Sequence, residues 1–470
     1  MVRRFFKDSA IYAVANLAAR GLSLFMVPYY VRVLSEADVG TLDILVAWGA
    51  LAAVVTGLEI AIGMAREYAG QKDDESRREV SSTALWFSVG VYLLFLGGVL
   101  FAAGPLAQFL LGSADHAPAV MAAGASVAGG GIFVIISQQL RYMMKPHLFA
   151  ATTLVNAFAG LSATVMFVSW LKLGVPGVFL GTTTGLTAGC GLAWWFTRHN
   201  FSWRFSRTRC VHLLRFSLPL IPSSIAAVVS LNYGRIAIDE LLSRDAVGVF
   251  GIAARLGSMI TLVMAGFSSA MAPLVFSRHE NKETPGDLAR IFRIFCVAAL
   301  LGSAGFILFT PEVLRVLTTP KYAGALPAIM ILAPSALLSQ MYIFAPGAWI
   351  SRKTWCISAV NIGAAVLNVS LNWLLIPLLG LPGAAWAALG GAAVSFTLSM
   401  AVSQYFYPVP HHWRQLGLAL AGTAALAAGG VILGGTVAWE GIVIRAGAVA
   451  AVLGWIHLTL GVNFRWRAQV

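Results

Sequence analysis

Charge is what this chain has least of: 11% of its 470 residues are charged, against roughly 25% in a soluble domain. The 19 acidic residues leave little material for a carboxylate-rich active site or a metal cage. Cysteine is nearly absent. Cys190, Cys210, Cys296 and Cys356 form no C-x-x-C pair, which argues against a disulfide framework or a zinc site. His411 and His412 stand together without a neighbouring carboxylate, so no metal is expected there. No G-x-x-x-x-G-K-[ST] sequence occurs, so this chain is not expected to hydrolyse ATP, and no other motif calls for a cofactor. Strand alternation is missing, which argues against an outer-membrane barrel. Long polar segments are missing too. REYAGQKDDESRREV and SRHENKETPGDLAR, of about 15 residues each, are too short to hold a separate domain.

What the chain does have is apolar length. Its residues are 59% apolar, its mean hydropathy is +0.80, and runs of about 20 apolar residues recur throughout, as a ~30 Å hydrocarbon core requires of a helix. The pattern predicts an all-α membrane protein with 14 transmembrane helices, near 9–33, 41–65, 81–103, 117–140, 148–171, 176–197, 213–242, 247–275, 291–311, 325–350, 355–379, 383–406, 416–438 and 442–462. The basic N-terminus lacks a clean cleavage site, and Arg20 interrupts its apolar run, so it reads as a retained first helix.

The net charge of +13 would suggest nucleic acid in a soluble protein. Here topology accounts for it, and no nucleic-acid partner is expected. With the N-terminus inside, 23 of the 32 Lys and Arg fall in cytoplasmic segments, 6 in outer ones (Arg32, Lys172, Arg244, Arg315, Lys321 and Arg445), and Arg20, Arg235 and Arg255 within spans. That bias predicts a multi-pass protein with both termini in the cytoplasm.

The chain also repeats itself. LSEADVG at 34–40 returns as LSRDAVG at 242–248, an offset of 208 residues, each between two predicted spans. Six spans precede the basic loop TRHNFSWRFSRTRC, and six more run from it to about residue 406. This predicts parallel repeats with a pseudo-twofold axis along the membrane normal and a central cavity between them. The expected organisation is an N-lobe at 1–197, a basic inter-lobe loop at 198–212, a C-lobe at 213–406, and two further helices with a tail at 407–470.

Five stretches in order carry a family likeness: MVPYYVRVLSEADVG, MAREYAGQKDDESRREVSSTAL, GVFGIAARLGSMITLVMAGFSSAMAPLVFSR, EVLRVLTTPKYAGALPAIMILA and LNVSLNWLLIPLLGLPGAAWAAL. In these the chain resembles the Wzx-type polysaccharide-repeat flippases of the multidrug/oligosaccharidyl-lipid/polysaccharide (MOP) exporter superfamily. The resemblance implies a non-enzymatic transporter of the bacterial inner membrane. It would move an undecaprenyl-diphosphate-linked glycan, such as an O-antigen or exopolysaccharide repeat, from the cytoplasmic to the periplasmic leaflet by alternating access. Membrane lipids, and a polysaccharide polymerase or co-polymerase, are its implied partners. A lipid II flippase and an ion-coupled drug or metabolite exporter of the same superfamily are the competing readings. A glycan polymerase or ligase would need a larger outer loop than this chain has.

An anionic head group needs a cationic path, and arginine suits it because its planar fork stays protonated and bonds phosphate in pairs. Ionisable groups inside spans are functional candidates, so Arg20, Arg235 and Arg255 are the expected head-group contacts. Each also has a structural alternative. Glu59 is placed to approach Arg20, and Asp239 lies four residues after Arg235 on the same helix face. The same two carboxylates are the candidates for ion coupling. Asn361, Asn368 and Asn372 share one face of span eleven, where amides bond either sugar hydroxyls or neighbouring helices. Gln138 and Gln139 close span four and are candidates for lining an entrance. Prolines within spans (Pro28, Pro219, Pro222, Pro273, Pro334, Pro346) are compatible with bent, rocking helices.

Overall fold

The computed structural model describes residues 2–261, 284–351, 353–434 and 439–460, with the side chains of 2–10, 12, 13, 16, 20, 23, 349, 354 and 439 outside the description. Among the described residues the chain is helical and no strand forms. Among the described residues, eleven helices are long and apolar enough to cross a membrane. Three expected spans are not among those eleven. The first lies in the helix Val2–Val33, where several side chains are not described. The sixth is the helix Gly174–Thr197. The eighth falls largely outside the described residues, as does Pro273.

These helices are apolar on the outside. Leu94, Phe101, Leu378 and Ile432 are each more than two-thirds exposed, and a soluble chain rarely leaves such side chains in water along whole helices. Hydrocarbon contact accounts for them.

The chain forms two compact units, Met1–Gly251 and Ile252–Val470. In the first, we number α1 Val2–Val33, α2 Glu36–Gly57, α3 Ile60–Gly70, α4 Asp74–Phe101, α5 Ala103–Leu111, α6 Ala117–Tyr142, α7 Pro146–Val165, α8 Gly174–Thr197, α9 Arg207–Ser217 and α10 Ile221–Leu241. Helix α11, Arg244–Gly257, leaves this unit. In the second unit, α12 is Thr284–Leu317, α13 Leu326–Gln340, α14 Thr354–Leu379, α15 Leu381–Phe406, α16 Trp413–Gly434 and α17 Trp439–Leu460.

Two local departures from regular spans shape the first unit. The expected span at 41–65 is not continuous. Leu58 and Glu59 both adopt left-handed backbone, with φ of 48° and 52°, and separate α2 from α3. Neither residue favours that region, so the break costs energy that the surrounding packing must offset. Tyr92 packs here, in space left by Gly57 and Gly131, and its hydroxyl points to the Ala53 carbonyl at 3.4 Å. Helix α8 differs from its neighbours in being rich in Gly and Thr. Gly181 and Gly185 let its backbone press on Thr164 and Asn156 of α7, the small-residue packing of membrane helices. The Thr182 and Thr183 hydroxyls donate to Val178 and Phe179 carbonyls one turn back, at 3.0 and 2.9 Å. Polarity satisfied in this way lowers hydropathy without exposing an unpaired group to lipid.

The repeat detected in the sequence becomes a contact. Gly40 lies against the Arg244 carbonyl and Gly248 against the Glu36 carbonyl, too close in each case for an added methyl group. The pairing is reciprocal, because residues 36 and 40 correspond to 244 and 248 at the 208-residue offset. Helix α10 packs on α2 beside it. The opening of the second repeat therefore belongs to the first compact unit.

Candidate functional site

Opposite charges gather at the end of the first unit formed by α3, α4 and α9. Helix α4 starts at Asp73, whose carboxylate accepts from the Ser76 N–H at 2.8 Å. Hydrogen bonds from the Ser76 backbone and side chain hold that carboxyl below its ordinary range. The expected inter-lobe loop is only partly a loop. Ser206 caps α9, so its second half is helical. The first half is fastened to α4. Arg78 donates to the Phe201 carbonyl through Nε and Nη2 at 3.1 and 2.9 Å. The Trp86 indole donates to the Ser202 carbonyl at 2.8 Å, the Ser202 N–H to Ser82 Oγ at 2.7 Å, and the Ser206 N–H to Thr83 Oγ1 at 3.2 Å. Trp203 stacks on Trp86 with 4.7 Å between ring centroids. The Ser/Thr-rich start of α4 is thus a row of acceptors for the basic segment.

Arg209 is the hub. Its Nη1 reaches Glu67 Oε1 at 3.1 Å, its Nε reaches Glu79 Oε2 at 3.4 Å, and its Nη2 reaches Ser76 Oγ at 3.5 Å. Arg204 pairs with Glu75 at 3.2 Å in the open. Much of the loop's positive charge is therefore answered by the 66–80 segment.

Beside Arg209 lies a cleft of about 390 Å³ lined by Gly63, Arg66, Glu67, His212, Arg215 and Phe216. At Gly63 helices α3 and α9 come close, since an added Cβ there would stand 3.0 Å from the Leu213 carbonyl oxygen. The Arg66 guanidinium carbon lies 4.1 Å from the centroid of the Phe216 ring, a cation–π contact that uses none of its N–H donors in an ion pair. Glu67, the one carboxylate of the lining, accepts from Arg209 and also from Gln71 at 3.2 Å.

The predicted site residues are scattered across the two units. Arg20 is on α1 and its side chain lies outside the described residues. Glu59 is half-buried at the α2–α3 break. Arg235 is half-buried in the first unit and donates to Asn232 Oδ1 at 2.9 Å. The sequence spacing offers Asp239 as its partner, but Asp239 instead grips Arg244 with both oxygens, at 2.6 and 2.8 Å. The turn after α10 folds Arg244 back over the helix end, which a same-face count does not anticipate. Arg255 is half-buried on α11 in the second unit. Asn368 and Asn372 are 2% and 1% exposed. The Asn368 amide donates to the Ala387 carbonyl of α15 at 3.2 Å, and Asn372 donates to Asn368, so in this conformation both take part in helix packing. Asn361 is half-buried on the same helix. Gln139 is 1% exposed and accepts from Ser81 at 3.0 Å, while Gln138 is half-buried.

Two charged positions are not singled out by the sequence pattern. Asp43 is 1% exposed on α2, filling the space that Gly251, its equivalent in the repeat, leaves open. Arg445, counted as an outer-segment charge, is 1% exposed on α17 and ion-paired with Glu312 of α12. Both sit in helices whose apolar runs are long enough to hide one charge.

The helical architecture is similar to that of solved transporters of the MOP superfamily. Over residues 5–280 the sequence matches the family described as polysaccharide biosynthesis protein, and the chain belongs to that family. Its fold is similar to the lipid II flippase MurJ in an inward closed conformation, at 11% identity with a TM-score of 0.74, covering 96% of this chain and 100% of that one. It is also similar to an inward-facing multidrug resistance MATE family transporter, at 16% identity with a TM-score of 0.65, covering 84% and 97%. A MOP superfamily transporter from Pyrococcus furiosus is similar at 16% identity and a TM-score of 0.56, covering 85% and 95%. No curated protein matches the chain significantly by sequence.

Proposed function

We propose that this protein flips an undecaprenyl-diphosphate-linked oligosaccharide repeat from the cytoplasmic to the periplasmic leaflet of the bacterial inner membrane, by alternating access between two lobes. The family membership and the transporter fold support a membrane flippase. One observation favours the lipid-linked reading over drug export: the lipid II flippase fold accounts for 96% of this chain, whereas the MATE fold accounts for 84%. The helices beyond the first twelve spans are thus part of the working molecule. The buried Glu312–Arg445 pair, which ties α17 to α12, supports the same view.

In this reading Arg20, Arg235 and Arg255 serve the diphosphate in transit. Asp239 is committed to Arg244, which leaves Glu59 as the carboxylate for ion coupling. The direct test is reconstitution of the purified protein in vesicles with a fluorescent polyprenyl-diphosphate sugar, scoring leaflet exchange by external quenching. Exchange well above protein-free vesicles is expected, and Arg255→Ala is expected to insert normally yet lose most of it. Exchange at the protein-free rate for the unsubstituted protein would end the flippase reading, and full activity of Arg255→Ala would end that residue's role.

A further inference from the structure

We propose that the cleft between α3 and α9 is a recognition site for the phosphate groups of a lipid-borne diphosphate, met at the membrane surface before the head group enters the transport path. The proposal rests on the flippase reading for its ligand and on geometry for its place. Arg66 and Arg215 line the cleft, and among the described residues neither has a hydrogen-bond or ion-pair partner. The lining's one carboxylate is already engaged by Arg209 and Gln71, so the site is left cationic. Other arginines at this end of the unit are engaged: Arg78 on Phe201, Arg204 on Glu75, Arg209 on Glu67 and Glu79. Two free guanidinium forks facing one cavity are what a pair of phosphate groups requires, because each fork makes two parallel charge-assisted bonds.

Size and position agree with this. The cleft, about 390 Å³, falls within the range of small-ligand sites. Gly63 brings the α3 backbone close to that of α9 without a side chain between them. Phe216 stands at the last turn of α9, where the chain passes into the apolar run of α10. A ligand held there would place its phosphates on the arginines and its first apolar units along the membrane-embedded part. Basic groups at the mouth of a span also attract anionic phospholipids without selectivity, and the experiment must separate the two.

Binding is measured at equilibrium with the full-length protein in nanodiscs of zwitterionic lipid, titrated separately with undecaprenyl diphosphate, phosphatidylglycerol and free pyrophosphate. The Arg66→Gln/Arg215→Gln double variant is expected to weaken undecaprenyl diphosphate binding at least tenfold and phosphatidylglycerol binding by less than twofold. Arg66→Lys/Arg215→Lys keeps the charge and loses the fork, so it should fall between. Arg204→Gln, which removes an exposed charge nearby, should leave the diphosphate affinity unchanged. Equal losses for both lipids would overturn the proposal, as would unchanged diphosphate binding in the double variant. Pyrophosphate binding as tight as the lipid's, with the same arginine dependence, would overturn the lipid source. Binding needs no transport, so a protein that binds here but shows no leaflet exchange refutes the flippase reading alone. Exchange with unaltered binding in the double variant refutes this site alone.

Discussion

The turns at 34–40 and 242–248 are the same motif used twice, and they differ where it matters. Both begin with a serine that caps the next helix. Ser35 accepts from the Asp38 N–H at 3.0 Å, and Ser243 from the Ala246 N–H at 3.2 Å. Both end in a glycine pressed on the other's backbone. In the first turn, Asp38 reaches back to the Ser35 N–H at 3.2 Å and completes a capping box. In the second, the position of Asp38 is Ala246, so that arm is gone. Arg244 stands where Glu36 would be and is clamped by Asp239. The backbone demand is met identically in both repeats, while the side chains that secure it have been exchanged for others.

The largest expected effect comes from breaking what the two turns share. Gly40→Ala and Gly248→Ala each force a methyl group into a carbonyl oxygen that belongs to backbone and has little room to retreat. Each should cost on the order of 3 kcal/mol, the upper part of the range for overpacking, read as a fall in the thermal unfolding midpoint of the detergent-solubilised protein. Gly90→Ala, which meets open space, should be neutral or slightly stabilising. A loss at Gly40 with none at Gly248 would show that the contact is not reciprocal.

Next comes what the turns do not share. Asp239→Ala strands Arg244, whose side chain is 24% exposed, beside the residues that the pair had shielded. A cost of about 2 kcal/mol is expected, below that of breaking a fully buried pair. The equivalent of Arg244 in the first turn is Glu36, which is half-buried and makes no ion pair among the described residues. Glu36→Ala should therefore change stability by less than about 0.5 kcal/mol. Equal losses at the two positions, in the same thermal assay, would remove the distinction. The caps sharpen it further. Ser35→Ala removes the acceptor of a two-way box and should cost about 1 kcal/mol, and Ser243→Ala, with one arm to lose, should cost less.

The range of the forces involved decides how much of this is legible in the sequence. Apolar runs place helices because lipid acts on each segment separately, so α4, α6, α14, α15 and α16 fall close to their predicted spans. The repeat is visible as seven residues, and its glycines are in the seven because a backbone contact tolerates nothing else. The break at Leu58–Glu59 leaves no mark, since no Gly or Pro of the kind that usually marks a turn stands at either position. Ion pairs are the least readable. Arg209 meets Glu67 and Glu79 across more than a hundred residues of sequence, and so does Arg445 with Glu312. A charge seeks the nearest partner in space, while sequence spacing reveals only partners on the same helix. Asp239 is the instructive case, turning from Arg235 at four residues to Arg244 at five because the chain reverses between them.

A third cap at the start of α4 separates hydroxyl from carboxylate chemistry. Asp73 caps the Ser76 N–H with a charged oxygen, and hydrogen bonding lowers its proton affinity below that of an ordinary aspartate. A carboxyl depressed by folding contributes stability that is present above its unfolded value and lost as pH falls through the folded one. The Ser76 cap should therefore hold at neutral pH and fail only in acid, below about 4. Ser243 has no carboxylate in its cap, so the Ala246 amide should keep its protection over the same range. Hydrogen exchange at Ser76 and Ala246, corrected for intrinsic rates, makes the comparison in one sample. Acid-induced loss at Ala246 as early as at Ser76 would mean that the end of α4 and the second turn open together, and that neither cap is governed by its own side chain.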